Sequence, residues 1–487
     1  MLTVKWLVRV MRSLPIGVAL AFLFSLLAPL LGFAVGSWSL YQHDARHSGQ
    51  SDFNGPNSPA ILWVVPFGTS GKPTTPIMVS GSGKAYVGVE VSPMKKPTTT
   101  TSTGQAAEEG GGHSGIFAFG PNTKVLWVSK VNGKVSGPPA IGRDGTVYAA
   151  IGTELVALKD KDGSAKWKVP LNGESVSGVT VGADGTVYTA TSDGATVYVV
   201  SGNGKQRWMY TAGAPISNPL AVGGDGTVYF TTKDLSLYAV GSNGSLKWKF
   251  TVTEKSTDQL SGPVLGQDGT IYIGGNRNNG YLTKDDEKQI GREYLYAISP
   301  SGQLMWRFQA KGKTVNTPAI AKDGTIIFST TSINYTVDRN YTLGDCFVQA
   351  VNPDGSQKWY YHSDDNAIDG PALIGSNGLI YVSSTEGQMT CLSRQGIMIW
   401  RAKIGGKASI GPKDILYVAA KSSIAAIVDR NSKELAKRHK RVEEAADNGS
   451  SPTASLSYLI YILPVIIALG IGYFFKTRVG VKEERED

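Results

Sequence analysis

Through most of this chain, short apolar runs alternate with turn dipeptides at a spacing too tight for helices. Residues 139–170 show the unit. An apolar stretch ends at Asp144-Gly145, a pair that tolerates the positive φ of a tight hairpin turn. Thr146-Val147-Tyr148 opens a second run of β-branched and aromatic residues, and Leu155-Val156-Ala157-Leu158 forms a third. Asp162-Gly163 turns the chain again into Ala165-Lys166-Trp167-Lys168-Val169. The unit thus predicts four antiparallel strands, A to D, with successive side chains on opposite faces.

The same frame returns from Asp184-Gly185 to Trp208, Asp225-Gly226 to Trp248 and Asp268-Gly269 to Trp306. It continues from Asp323-Gly324 to Trp359 and from Asn377-Gly378 to Trp400, with a looser copy from Ser82-Gly83 to Trp127. Trp63 sits in a D-type strand with nothing before it, while residues 408–429 supply A, B and C strands without a tryptophan. Joining the two ends completes an eighth unit and removes the edges that an open array would expose. A repeat of about 40 residues built from short strands is the mark of a propeller blade. The tryptophans Trp63, Trp127, Trp167, Trp208, Trp248, Trp306, Trp359 and Trp400 are expected to pack blade against blade.

The repeated D-G-T-V-Y and x-G-x-x-K-W pieces resemble the tryptophan-docking repeats of the pyrroloquinoline-quinone-like (PQQ-like) β-propeller superfamily. The lead-in Trp38, Tyr41, Asp44, Ser48, Gly49 is similar to that of its non-enzymatic, BamB-like branch. The resemblance covers roughly residues 38–429. The expected fold is all-β: an eight-bladed propeller of four-stranded antiparallel blades, closed by the N-terminal strand plus the C-terminal strands and followed by a single transmembrane helix.

The ends supply the rest of that expectation. Residues 1–36 carry Lys5, Arg9 and Arg12 before an apolar run, which fits a signal peptide cleaved before Ser37 or an uncleaved N-terminal anchor. Residues 37–429 are the propeller, and residues 430–455 a stalk, partly helical, opened by a capping-box pattern from Asn431 to Glu434. The uncharged run 456–475 has the length of a membrane-crossing helix, and residues 476–487 follow as a short tail beginning with Lys476 and Arg478. The expected localisation is therefore the cytoplasmic membrane, single-pass, with the propeller outside and the tail in the cytoplasm.

Charge narrows the partners. The formal net charge is +9, but the leader and stalk take more than half of it. What is left, spread over nearly 400 residues, is not the concentrated basic face that nucleic acid requires. The stalk cluster Lys437, Arg438, His439, Lys440, Arg441 is offset by Glu434, Glu443, Glu444 and Asp447; a solvated helix and a contact with anionic headgroups or polymer both fit it.

Three long insertions all fall between strands B and C, at residues 91–114, 276–293 and 331–346, and so on one face of the ring. They nominate Lys95, Lys96, Arg277, Tyr281, Lys284, Asp285, Asp286, Tyr335, Arg339 and Tyr341 as partner-binding positions. Asn243, Asn334, Asn340 and Asn448 match the N-glycosylation pattern, which matters only in a host that glycosylates exported proteins.

The resemblance also implies an enzymatic alternative. A quinoprotein dehydrogenase holds PQQ over a calcium ion with Glu, Asn and Asp, and many carry adjacent disulfide-bonded cysteines. Here Cys346 and Cys391 are far apart in sequence, and whether they pair is left open. Glu174, Asp258, Asn316 and Asp369 are polar residues at D–A crossings, with no pattern joining them. His43 and His47 have metal-compatible spacing only on a helix, and no calcium-loop pattern accompanies the Asp-Gly turns. The reading is a membrane-anchored, extracytoplasmic, non-catalytic scaffold for a protein, peptide or glycan of the cell envelope. It needs no cofactor and has no catalytic or metal site, and its alternative is a PQQ-dependent dehydrogenase or a degenerate relative of one.

Overall fold

The computed structural model describes residues 39–67, 71–91, 113–121, 123–131, 133–254, 257–276, 293–335, 341–364 and 367–447. Its strands form five four-stranded antiparallel sheets, one five-stranded sheet and one ten-stranded sheet, which fall in chain order into blades 1 (71–131), 2 (140–170), 3 (180–211), 4 (221–251), 5 (259–309), 6 (314–363), 7 (368–402) and 8 (407–429 with 59–66). Blade 2 consists of Ala140–Ile141, Val147–Ile151, Glu154–Leu158 and Ala165–Pro170, paired in that order. The inner three strands are buried almost throughout, whereas strand D alternates exposed and half-buried positions. Blades 5 and 6 merge into one sheet because Thr314–Val315 pairs with Asn276 on one side and with Thr330 and Thr331 on the other.

The Asp-Gly-Thr turns are built by the aspartate side chain. Thr146 donates to Asp144 through both its amide (3.0 Å) and its hydroxyl (2.6 Å). Gly145 supplies the left-handed φ of +80° that a Cβ would penalise. Asp184, Asp225 and Asp268 repeat the arrangement with Thr186, Thr227 and Thr270.

The C–D turns receive the tryptophans. Trp127, Trp167, Trp208, Trp248, Trp306 and Trp359 each donate Nε1–H to a carbonyl in the C–D turn of the next blade, at 2.7–2.9 Å. Each ring lies against that turn's glycine. A Cβ on Gly204 would sit 2.8 Å from Trp167, and one on Gly396 2.5 Å from Trp359. Trp400 donates instead to Pro56, just before the closing strand, at 3.0 Å. At the closure, Pro59–Pro66 pairs with Ser423–Asp429, and Trp63 is buried edge-on against Tyr417.

Two features depart from the sequence reading. The third insertion is not a plain loop: strands Ile326–Tyr335 and Tyr341–Val351 prolong the blade 6 hairpin until Tyr335 faces Tyr341. The C-terminal helix Lys433–Asp447 starts one residue later than the capping pattern implied, with the Ser432 hydroxyl accepting from the Leu435 amide at 3.2 Å. Leu435 packs onto the core of the closing blade.

The expected transmembrane helix is corrected. No helix among the described residues is long and apolar enough to cross a membrane, and residues 456–475 lie outside the described residues. The C-terminal anchor is withdrawn, and with it the single-pass placement in the cytoplasmic membrane. The leader 1–36 and the tail 476–487 also lie outside the described residues.

Candidate functional site

A–B and C–D turns gather at one end of the ring, which we call the turn end. B–C connections and D–A crossings gather at the other, the loop end. The lead-in covers the turn end. Its carbonyls accept from the last amide of strand A in blades 2, 4, 5, 6 and 7: Ser39 from Ile141, Ala45 from Val222, Arg46 from Leu265, Ser48 from Ile320 and Gly49 from Ile374, at 2.7–3.0 Å. The backbone has to bend sharply to do this, and Gln42, His43 and His47 all take left-handed φ values of 49°, 80° and 59°.

The lead-in motif has a local cause. One Asp44 oxygen accepts from the Arg46 and Ser48 amides at 3.1 and 2.9 Å, while the Arg46 guanidinium bonds the other at 3.0 Å. Gly49 has φ +68°, and a Cβ there would lie 2.7 Å from that of Ala319. His47 is fully buried, and burial pushes its pKa down to about 4 despite the opposing charge of Asp44 and a weaker contact with the Pro263 backbone. The imidazole is thus held neutral as a packing group against Tyr41, 5.2 Å away edge-on.

Tyr41 and Gln42 form the floor of a cavity of about 250 Å³ that runs from the central channel into the seam between blades 7 and 8. Pro76, Pro138, Pro219 and Pro371 line the axis, and Met78, Leu373, Tyr381 and Met389 line the side. Hydroxyls tie the inner strands together here: Ser383 donates to the Gly406 carbonyl at 2.8 Å and Ser409 to that of Ile77 at 2.6 Å. Lys407 is the charged residue in the wall, and its ammonium donates to the Thr74 carbonyl at 2.9 Å.

Of the positions nominated by sequence, Lys95, Lys96, Arg277, Tyr281, Lys284, Asp285, Asp286 and Arg339 lie outside the described residues. Tyr335 and Tyr341 are brought together at the end of the blade 6 ladder. Asn334 pairs with Thr342 in that ladder. Asn243 is exposed in the blade 4 C–D turn, where its side chain accepts from the Ser245 amide. Asn340 and Asn448 lie outside the described residues. Asn316 is engaged structurally, donating to Ser329 and to the Ile368 carbonyl at 2.8 and 3.3 Å. Cys346 and Cys391 are buried and not joined by a disulfide, and burial pushes the Cys391 thiol up to about 12.

The sequence reading named Tyr41 only as part of the lead-in motif, and it missed Gln42, the axial prolines and Lys407 as cavity-lining residues. The prolines did carry a signal, because strand A begins at or near a proline in six blades: Pro76, Pro138, Pro219, Pro263, Pro318 and Pro371.

Residues 112–289 match the family described as outer membrane protein assembly factor BamB. A BamB of that description from Burkholderia pseudomallei (strain K96243) is 30% identical over 66 residues, or 14% of this chain. The chain spans about a sixth, 17%, of that relative's length. Among solved structures, a europium-containing methanol dehydrogenase superposes with a TM-score of 0.58 at 12% identity, covering 83% of this chain and all of that one. A quinohemoprotein alcohol dehydrogenase from Pseudomonas putida HK5 gives 0.55 at 12% identity, covering 81% and 80%. BamB from Moraxella catarrhalis gives 0.49 at 18%, covering 77% and 98%. The chain has the β-propeller fold of the two dehydrogenases, and its residues 112–289 are similar to the BamB family.

The donor set at the cavity does not suit a quinone held over calcium, the cofactor of the enzymatic alternative. Calcium asks for six to eight oxygen ligands, carboxylates among them. The described cavity wall carries prolines, glycines, thioethers and Lys407 but no Asp or Glu. Among the described residues no three His, Cys, Asp or Glu side chains converge as a metal site.

Proposed function

We propose that this protein is a non-catalytic scaffold whose loop end binds a protein partner. One observation carries the reading: the lead-in covers the turn end, while the opposite end keeps an apolar recess and, on blade 6, a prolonged hairpin. An apolar recess is the kind of surface that takes buried anchors from a partner. The BamB-like segment, whose relatives are named for assembling other proteins, favours a protein over a glycan. The alternative, a quinoprotein dehydrogenase, has the overall fold in its favour and the wall chemistry against it.

Incubating the full-length chain with PQQ and calcium separates the two. The scaffold reading expects neither saturable binding nor alcohol-dependent dye reduction; either result would overturn it. Replacing residues 332–344 by a two-residue turn is expected to weaken capture of the partner without lowering the melting temperature of the ring.

A further inference from the structure

The seam between blades 6 and 7 breaks the charge pattern of the turn end. Where blades 3 and 4 meet, a pocket is lined by Asp184 and Arg207, which bond each other at 3.0 Å. The matching pocket between blades 6 and 7, about 120 Å³, holds the same pair as Asp323 and Lys358, 3.1 Å apart. Two further cations line it. Lys322 stands where blade 3 has Ala183, and Arg394 stands where blade 4 has Ser242. The second equivalence is structural, because the Ser242 and Arg394 carbonyls each accept Nε1–H from the preceding blade's tryptophan. Three cations against the single carboxylate of Asp323 leave this pocket a surplus of two positive charges.

Both extra cations are exposed, and among the described residues neither has an ion-pair partner. Asp52 acts on Lys322 through space, but that carboxylate lies against His43, at 3.6 Å. Arg394 is laid across the blade 7 A–B turn, where a Cβ on Gly378 would collide with its Nε. Buried Ile327, Ile374 and Ile380 form the floor, and an apolar wall strengthens the pull of the cations on a charge beside it. We propose that this seam binds one tetrahedral oxyanion, phosphate or sulfate, free or as the end group of a larger molecule. The planar fork of Arg394 takes two oxygens, and Lys322 takes another from the blade 6 side. The pocket is far smaller than the roughly 300–1,000 Å³ of sites for drug-sized ligands, so it holds the anionic group alone. The site stands whatever the loop end binds.

Isothermal titration calorimetry of the full-length protein at low ionic strength tests this with inorganic phosphate, sulfate and acetate. Phosphate and sulfate are each expected to fill one site, with acetate at least about ten-fold weaker for its smaller charge and fewer oxygens. Arg394→Gln and Lys322→Gln should each weaken phosphate at least about five-fold, with the melting temperature unchanged. Arg207→Gln removes the same charge from the blade 3–4 seam and should leave phosphate binding within about two-fold. An unsubstituted chain that shows no saturable phosphate binding, or binds acetate equally well, would overturn the proposal. Equal weakening by Arg207→Gln and Arg394→Gln would also overturn it, since net charge would then explain the binding. Glycerol 3-phosphate separates the sources. Binding as tight as that of inorganic phosphate identifies the end group of a larger molecule, and binding at least about ten-fold weaker identifies the free ion.

Discussion

The two ends of the ring solve different problems with the same strands. At the turn end the same contacts recur from blade to blade: aspartates bond the threonine two residues on, tryptophans bond the next blade's turn, and the lead-in ties five blades. At the loop end the inner backbone carries prolines, and connections vary in length from blade to blade. Repetition at one end leaves the other free to vary, which is where a partner would meet the ring.

Breaking a tryptophan dock should have the largest effect. Trp208→Ala removes a half-buried indole and its bond to Ser242, and a loss of about 3–5 kcal/mol is expected by denaturant unfolding. At the loop end, Tyr360→Ala truncates a side chain that is 48% exposed and should cost under ~1 kcal/mol. Similar losses at the two sites would erase the distinction between the ends.

His47 sharpens the role of the lead-in. Its folded pKa of about 4 lies below the ordinary 6.5. Between those values the unfolded chain takes up a proton that the folded chain refuses, so stability falls as pH drops from 6.5 to 4 and levels off below. The loss amounts to roughly 3 kcal/mol. His47→Leu should flatten that slope in melting curves recorded across the window.

The glycines separate backbone strain from docking. Gly185 and Gly204 have φ of +79° and +86°, but a Cβ on Gly185 meets nothing within 4 Å, whereas one on Gly204 meets Trp167. Gly185→Ala should cost about 1–2 kcal/mol for conformation alone, and Gly204→Ala visibly more by urea midpoint.

The smallest effect is expected from the exposed ion pairs. Lys247 bonds Asp225 at 3.1 Å; burial works against the Asp225 carboxylate, but Thr227 and Lys247 hold it at about 2. That contribution is present above pH 3.8 and fades as pH falls through 2. Blade 5 has Met305 where blade 4 has Lys247, so Lys247→Met should stay within about 0.5 kcal/mol at neutral pH.

Much of the turn end was legible in the sequence because its contacts are local or repeat at the blade period: Asp144 reaches Thr146, and Trp167 reaches Gly202. Trp63 also pointed to its place in the closing blade, since its strand had no partners nearby in the chain. The site was not legible. Gln42 meets Pro318 across 276 residues, and no local pattern reports which residues a lead-in will cover. The blade 6 insertion read as a loop because polar residues such as Asn334 can sit in a hairpin that leaves the core. The apolar run 456–475 met the length criterion for a membrane span, yet no described helix supports an anchor.

Site-specific photo-crosslinking tests the central claim most directly. A benzophenone side chain is placed at Lys407 in the channel wall toward the loop end, or at Lys205 in an exposed C–D turn, and the full-length protein is irradiated with its partner. The account predicts an adduct from position 407 and none from position 205. An adduct from 205 alone would place the binding surface on the wrong end of the ring and contradict it.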